Sequence, residues 1–357
     1  MAIEAFSSNG RAVAALVGAG RMGEIHARNA TATPSLELRY VVDQVRLRAD
    51  RLATSVGARP STLGAALADP DVTAMIVATS TDAHEVVVRA GIGRGLAVLC
   101  EKPLTGDVST STVLAHEAAE ASAALMVGFH KRFDPAIAEL QRVLLSGQIG
   151  ELVSLSLISR DPSPPADIYE VGGGAFFDMM IHDFDLVGWL IDDPPVSVLA
   201  AQSREVARCV IDLQGGSSAY LECGRRSVSS YDQTIEVIGT VGAVRILDDE
   251  HVVSTTFRGA ADRRQRWDAP RPKRTADVCH TGENVEPFFL SRYSEAFQAE
   301  TRAFAAMALG GPRAGATAED GLQAALLAAA ATESSEASTR VRLRSSQAGR
   351  ASAMRSA

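Results

Sequence analysis

The stretch VAALVGAGRMGEIHARNA, beginning at Val13, constrains the fold more than any other part of this chain. The apolar run Val13–Val17 reads as a strand that runs directly into Gly18-x-Gly20-x-x-Gly23, where a helical pattern begins. Asp43 closes the next apolar run, twenty residues beyond Gly23. Each glycine has a steric reason. Gly18 makes the tight turn, Gly20 lets backbone approach a pyrophosphate, and Gly23 lets the helix lie close on its strand. Arg21 and Met22 open the helix, whose N–H groups and positive dipole end suit phosphates. Asp43 is placed to accept from both hydroxyls of a ribose, and its charge repels a 2′-phosphate, so the pattern predicts NAD and disfavours NADP. Arg46 and Arg48 follow closely and temper that preference, since an arginine shields a phosphate. The bland alternative is a glycine-rich turn in an ordinary α/β domain; strand, helix and spaced aspartate together weigh against it.

A parallel sheet is the consequence. Val13–Val17, Leu36–Val42, Met75–Ala78, Ala97–Cys100 and Leu125–Val127 read as strands with helices between them, the rhythm of a doubly wound Rossmann domain over residues 1–128. From 129 to 344 the texture becomes that of an α+β domain. A helix from Pro135 to about Ser146 precedes strands at Leu152–Ser159, Val206–Leu213, Ala219–Cys223, Thr234–Ile238 and Val252–Phe257, which suit an open, mostly antiparallel or mixed sheet. Helices follow over Tyr293–Ala308 and Glu319–Ser335. Arg258–Pro287 reads as one long polar loop, either functional or mobile, and 345–357 has the composition of a disordered tail.

With 357 residues, 46% of them hydrophobic and 22% charged, both domains have material for a core. A formal net charge of −8 argues against nucleic acid or an acidic membrane surface as partner, leaving small-molecule chemistry or protein association. Cys100, Cys209, Cys223 and Cys279 show no paired or zinc-like spacing, no apolar run is long enough to span a bilayer, and Glu4 stands where a secretory leader would be basic. A reducing, cytoplasmic setting without a metal site is the expectation.

LAVLCEKPLTGD sets Glu101-Lys102-Pro103 at the carboxyl end of a parallel strand, where open α/β sheets hold their ligands. Thr79, Ser80 and His84 follow another strand end, and with Glu101 and Lys102 they are expected to line the cofactor crevice. Lys102, Lys131 and Lys273 are the only lysines in a chain whose other basic residues are arginines, and a retained lysine hints at a need for a compact ammonium. A solvated lysine at a strand end is the competing explanation.

GAFFDMMIHDFDLVGWL, from Gly174 to Leu190, reads as one helix, apolar nearly all round and therefore buried. Asp178, His182 and Asp185 fall at i, i+4 and i+7, which puts them on one stripe. Buried charge is expensive, so that stripe must face partners or a cavity. Near a nicotinamide it would supply what alcohol oxidation needs. His182 is the base for the hydroxyl proton, Asp178 orients it or holds a neighbouring hydroxyl, Lys102 stabilises the developing alkoxide, and Asp185 grips a further hydroxyl. Two alternatives compete: a satisfied structural Asp178–His182 pair, and metal ligation by Asp178, His182 and Asp185. His26 and His116 read as helix-surface or packing residues.

Along nearly the whole chain, GAGRMGEIHARNA, ATSTDAHEVVVRAG, CEKPL, GFHKRFDP, SRDPSPP, GGGAFFDMMIHDFDLVGWL, YDQTIEVIGTVG and PFFLSRYSEAFQAE resemble the Gfo/Idh/MocA oxidoreductases. EKP followed at this distance by D-x-x-x-H is the specific pair. The resemblance implies a Rossmann domain and an α/β domain with an open, mixed sheet, associating into dimers or tetramers. It implies reversible oxidation of one ring hydroxyl of a cyclitol or sugar by NAD(P). The family's catalytic lysine, aspartate and histidine match Lys102, Asp178 and His182; its substrate contacts match Arg132, Asp185 and Tyr231. In the SRDPSPP loop, some relatives carry His and Asn where this chain offers Asp161 and Ser163. Met179, Met180 and Ile181 fill a gap in which many relatives carry a threonine. The favoured substrate is myo-inositol, oxidised at its 2-hydroxyl to the 2-keto product, with another sugar or an aminocyclitol as alternative. A non-catalytic NAD(P) or sugar sensor on the same fold is the alternative from another class.

Overall fold

The computed structural model describes residues 10–161, 174–225, 232–247, 251–256, 264–268 and 288–343. They fall into two compact units, Met1–Phe133 with Glu295–Leu322 and Asp134–Ser294 with Gln323–Ala357.

In the first unit, six strands alternate with helices: β1 (Ala12–Val17), α1 (Arg21–Ala32), β2 (Leu36–Val42), α2 (Arg46–Val56), β3 (Arg59–Ser61), α3 (Leu63–Ala68), β4 (Ala74–Val77), α4 (Thr81–Gly93), β5 (Ala97–Glu101), α5 (Val108–Glu120) and β6 (Leu125–Gly128). A 3-10 turn over His130–Phe133 follows. The sheet order is β3-β2-β1-β4-β5-β6 and every pair is parallel. Strands β1, β4, β5 and β6 are buried at every position, because helices flank such a sheet on both faces. The order reverses between β1 and β4, so the loops after these strands diverge and leave a crevice at their carboxyl ends. Gly18, Asp43, Thr79 and Lys102 all follow strands at that end.

The second unit opens with α6 (Pro135–Leu145), whose start is fixed by sequence: Asp134 accepts from the N–H groups of Ala136 and Ile137 at 3.0 and 3.2 Å, and Pro135 takes the first helical position. Along the chain, β7 (Leu152–Arg160), α7 (Gly174–Asp178), α8 (Ile181–Leu190), β8 (Pro195–Gln202), β9 (Val206–Leu213), β10 (Ser218–Gly224), β11 (Asp232–Gly239), β12 (Gly242–Leu247), β13 (His251–Thr256) and β14 (Arg264–Asp268) follow; then come α9 (Phe288–Ala308), which lies mainly in the first unit, α10 (Ala318–Ala337), which begins there, and β15 (Val341–Arg342). Nine strands pair in the order β14-β13-β12-β11-β7-β10-β9-β8-β15, with β7 and β10 the parallel pair in an otherwise antiparallel sheet. Alternation gives the sheet two faces. Leu155, Leu157, Ala207, Cys209, Ile211, Ala219, Leu221, Ile235 and Val237 are buried, and the residues between them are more exposed. Ser334 of α10 accepts the Ala200 N–H of β8 at 2.9 Å, tying that helix to the sheet.

Several sequence expectations need correction. A second domain running unbroken from 129 to 344 does not describe the packing: Glu295–Leu322 belong to the first unit, because Phe304, Ala305 and Met307 of α9 complete its hydrophobic core. The helix expected over Gly174–Leu190 is two helices. The N–H groups of Met179 and Met180 both close on the Ala175 carbonyl, and those of Asp183 and Phe184 both start from Met180, so the ladder restarts there. Arg258–Pro287 is not one loop, since it contains β14; its other residues, and the tail from Ser345, lie outside the described residues. Cys100, Cys209 and Cys223 are buried free thiols.

Candidate active site

The glycine loop after β1 has the shape a dinucleotide needs. Gly18 has φ +103°, and a Cβ there would stand 2.3 Å from the Ala78 carbonyl oxygen; one on Gly23 would stand 2.0 Å from the oxygen of Gly18. Around Gly20 a Cβ would meet nothing within 4 Å, which is the open approach a pyrophosphate requires. Gly20 caps α1 without a side-chain hydrogen bond, so no side chain competes at that end. Asp43 is drawn to the loop, its Oδ2 accepting the Ala19 N–H at 2.8 Å and its Oδ1 the Val45 N–H at 2.7 Å. A cleft of about 480 Å³ between α1 and α2 is lined by Arg21, Arg28, Arg48, Arg51 and Glu24. Arg46 instead pairs with Asp50 at 2.8 Å. These residues fit NAD.

The other residues expected at the crevice stand at or near the carboxyl ends of β4 and β5. Thr79 and Ser80 sit after β4, half-buried and exposed. His84 follows them on α4. It is 1% exposed, its Nδ1 lies 2.9 Å from the Pro103 carbonyl and its Nε2 3.3 Å from that of Thr79, so the ring braces two loops. Glu101 is also interior: its carboxyl meets His26 Nε2 at 2.6 Å and the Lys102 N–H at 3.2 Å. His26 is therefore not a surface residue, whereas His116 lies on the surface of α5 beside Glu120. Lys102, which ends this segment, is half-buried, and the Lys102–Pro103 peptide is cis. Arg132, expected to touch substrate, is 8% exposed and forms an ion pair with Asp320 at 3.3 Å. Burial alone would raise the Asp320 carboxyl; the Arg132 guanidinium and the Thr317 N–H outweigh it and hold Asp320 below the usual range.

In the second unit, His182 and Asp185 lie on α8 and are buried, while Asp178 ends α7 with 40% of its side chain exposed. Asp178 precedes the break at Met179 and Met180, and Arg225, just after β10, donates to its Oδ2 at 2.8 Å. Sequence reasoning gave no role to Arg225, which stands in no motif. Nor did it give one to Asp183, fully buried in the first turn of α8, where it accepts from Ser159 of β7 at 3.3 Å. That bond pins α8 to the sheet and so fixes the turn that carries His182. Asp161 is half-buried after β7, its N–H donating to the Gly224 carbonyl at 2.9 Å. Tyr231 lies outside the described residues. Among the described residues, no group of three or more His, Cys, Asp or Glu side chains is arranged to hold a metal ion, and no helix is long and apolar enough to cross a membrane.

Comparison with known proteins gives the family. Residues 13–129 match the NAD-binding Rossmann fold of the Gfo/Idh/MocA oxidoreductase family, and 137–245 match that family's C-terminal domain. The chain is 32% identical to an inositol 2-dehydrogenase of Rhizobium meliloti, over 89% of this chain and 95% of that one. It is 31% identical to a myo-inositol 2-dehydrogenase of Thermotoga maritima, over 92% and 97%. A crystal structure of a myo-inositol dehydrogenase from Corynebacterium glutamicum superposes with a TM-score of 0.77 at 28% identity, covering 94% of this chain and 99% of that one.

Proposed function

The chain belongs to the Gfo/Idh/MocA family of NAD-dependent oxidoreductases, and from that premise we propose that it oxidises a ring hydroxyl of a cyclitol, with myo-inositol at its 2-hydroxyl as the first substrate. The observation that carries the proposal is that relatives matching over nine-tenths of their length act, by name, on inositol. When bound, NAD supplies the acceptor for the hydride that leaves the carbinol carbon. His182 takes the hydroxyl proton, since imidazole is the side chain whose ordinary pKa suits reversible transfer near neutrality. The Lys102 ammonium stabilises the negative charge that grows on the substrate oxygen as its proton leaves. Asp185, and Asp178 when not engaged by Arg225, grip adjacent hydroxyls, a role suited to carboxylates that only accept. Met179 and Met180 offer no hydroxyl donor, which favours testing sugars and aminocyclitols beside the inositols.

Self-association belongs to the same proposal. The less buried face of the nine-stranded sheet carries Leu199 and Tyr220 at 39% and 36% exposure beside a charge network in which Glu222 receives Arg160 and Arg208, both at 3.0 Å. Apolar area rimmed by paired charge suits an interface between copies. Light scattering of the purified protein tests it, and a monomer at all concentrations counts against it.

For the chemistry, purified protein is mixed with NAD and a panel of inositols, sugars and aminocyclitols, and NADH absorbance is followed. Turnover with an inositol is the expected result. Tight NADH binding without turnover of any polyol would make the protein a sensor rather than an enzyme.

A further inference from the structure

Behind the strand end that carries Lys102, the first unit buries a cluster of titratable groups. His26 of α1 is 0% exposed, and its Nε2 lies 2.6 Å from Oε1 of Glu101. The second oxygen of that carboxyl accepts the Lys102 backbone N–H at 3.2 Å. β6 leaves room for it, since a Cβ added to Gly128 would come within 3.4 Å of Glu101 Cδ. From α9, Phe297 meets the His26 ring edge-on, with centroids 6.2 Å apart, and stacks on His130 at 4.2 Å. Nearly one turn along, Glu300 is 0% exposed, and neither carboxyl oxygen has a hydrogen-bond partner among the described residues. Burial first, and then the negative charge of Glu101, push the Glu300 carboxyl well above the usual range.

Two ionised carboxylates in one buried cluster are costly, and the charge settles where donors are. Glu101 has two, His26 Nε2–H and Lys102 N–H. Glu300 has none among the described residues and keeps its proton. A carboxylate only accepts, so the proton of the 2.6 Å contact sits on Nε2, and so short a bond to an ionised acceptor is of the strong class.

We propose that His26 is a positioning residue for Lys102, acting through the Glu101 carboxylate that it holds against the Lys102 backbone. The proposal deepens the proposed function and rests on its assignment of Lys102 to the reacting hydroxyl. Catalysis is sensitive to placement, a misplacement of about 1 Å costing on the order of a hundredfold in rate, and the peptide that carries the ammonium is fixed by this bond.

His26→Leu removes the donor; His26→Gln keeps an N–H where Nε2 stands. In His26→Leu, kcat falls by roughly ten- to a hundredfold with KM and NADH affinity within about threefold, and deuterium exchange accelerates in the peptide spanning Lys102. His26→Gln restores both kcat and protection. The infrared spectrum of the wild type contains a protonated carboxylic acid band that Glu300→Gln removes. Wild-type kcat and exchange in a folded His26→Leu protein overturn the proposal, as do equal damage in His26→Gln or no acid band lost in Glu300→Gln. Should His26→Leu not fold, Glu101→Gln asks the same question: slower turnover with faster exchange supports the proposal, and unchanged values overturn it. If the wild type oxidises no polyol, the proposed function fails, while the exchange and infrared measurements still decide this proposal.

Discussion

Gly18→Ala separates the two tasks of the glycine loop, shaping the fold and admitting the cofactor. The residue has φ +103°, a conformation that costs a side chain about 1–2 kcal/mol. The new methyl would stand 2.3 Å from the Ala78 oxygen, 2.5 Å from the Ala78 carbonyl carbon and 2.7 Å from the Thr79 nitrogen, all backbone atoms that cannot swing aside. The loops after β1 and β4 must part by about 1 Å, an overpacking that costs roughly 1–3 kcal/mol. The sum, about 2–5 kcal/mol, lowers the melting temperature of the first unit by roughly 4–20 °C. Gly20→Ala is the internal control. With φ −85° and nothing within 4 Å of a Cβ, it leaves folding intact and obstructs only the pyrophosphate approach. Scanning calorimetry and NADH fluorescence titration read the two effects: Gly18→Ala loses stability and NADH binding, Gly20→Ala only binding. A Gly18→Ala protein that melts within about 2 °C of wild type, or a Gly20→Ala protein that is the less stable of the two, refutes the steric account.

His182→Ala lowers kcat by about 10²–10⁴ while NADH affinity stays put, because a base acts on the chemical step; unchanged turnover removes His182 from the mechanism. Asp43→Asn raises the ratio of kcat/KM with NADP to that with NAD by at least about tenfold, since it removes the carboxylate beside a cleft that Arg48 lines; a fixed ratio means the cofactor's ribose is read elsewhere. Asp107 caps α5, accepting from the Ser109 hydroxyl at 2.6 Å and the Thr110 N–H at 2.9 Å, and these bonds, the Ser109 hydroxyl foremost, pull its carboxyl down to about 2. Its folded pKa lies below the unfolded value of about 3.9, so its stabilisation is complete above that value and disappears as pH falls through about 2. Asp107→Ala therefore costs about 1 kcal/mol at pH 7 and nearly nothing at the acid end, and a melting difference that does not shrink with acidification contradicts the cap.

The parallel sheet was legible because its signals are local. Leu36–Val42 and Val206–Leu213 are strands with the bounds that periodicity predicts, the first a mainly apolar run flanked by helices and the second buried at alternate positions. The strand Pro195–Gln202 is obscured by its opening proline, which demotes an apolar run on inspection yet is permitted at a first strand position. The split between α7 and α8 is obscured for the opposite reason. Nothing in FDMMIHDF breaks a helix by propensity, and only the hydrogen bonds converging on Ala175 and Met180 reveal it. The single helix read over Gly174–Leu190 was thus too regular: periodicity supplies a phase but does not show where the backbone hydrogen-bond ladder restarts.

The site divides along the same line. Gly18, Gly20, Gly23 and Asp43 are readable in one dimension, since strand, turn and helix follow one another and the spacing carries the geometry. His26 and Glu101 stand 75 positions apart, and nothing local says that they share a proton. A signal was nevertheless present. In α9, Phe297, Thr301 and Phe304 are buried on one helical stripe, and Glu300 interrupts it with a carboxyl that burial penalises. A charge inside an apolar stripe is the feature that singled out Asp178 and His182 in the second unit. Applied evenly, it marks α9 as well, and a helix that must bury a carboxyl needs either a donor for it or a proton on it. Glu300 has no donor among the described residues, so the proton stays, and the negative charge is left to the carboxyl that His26 holds beside Lys102.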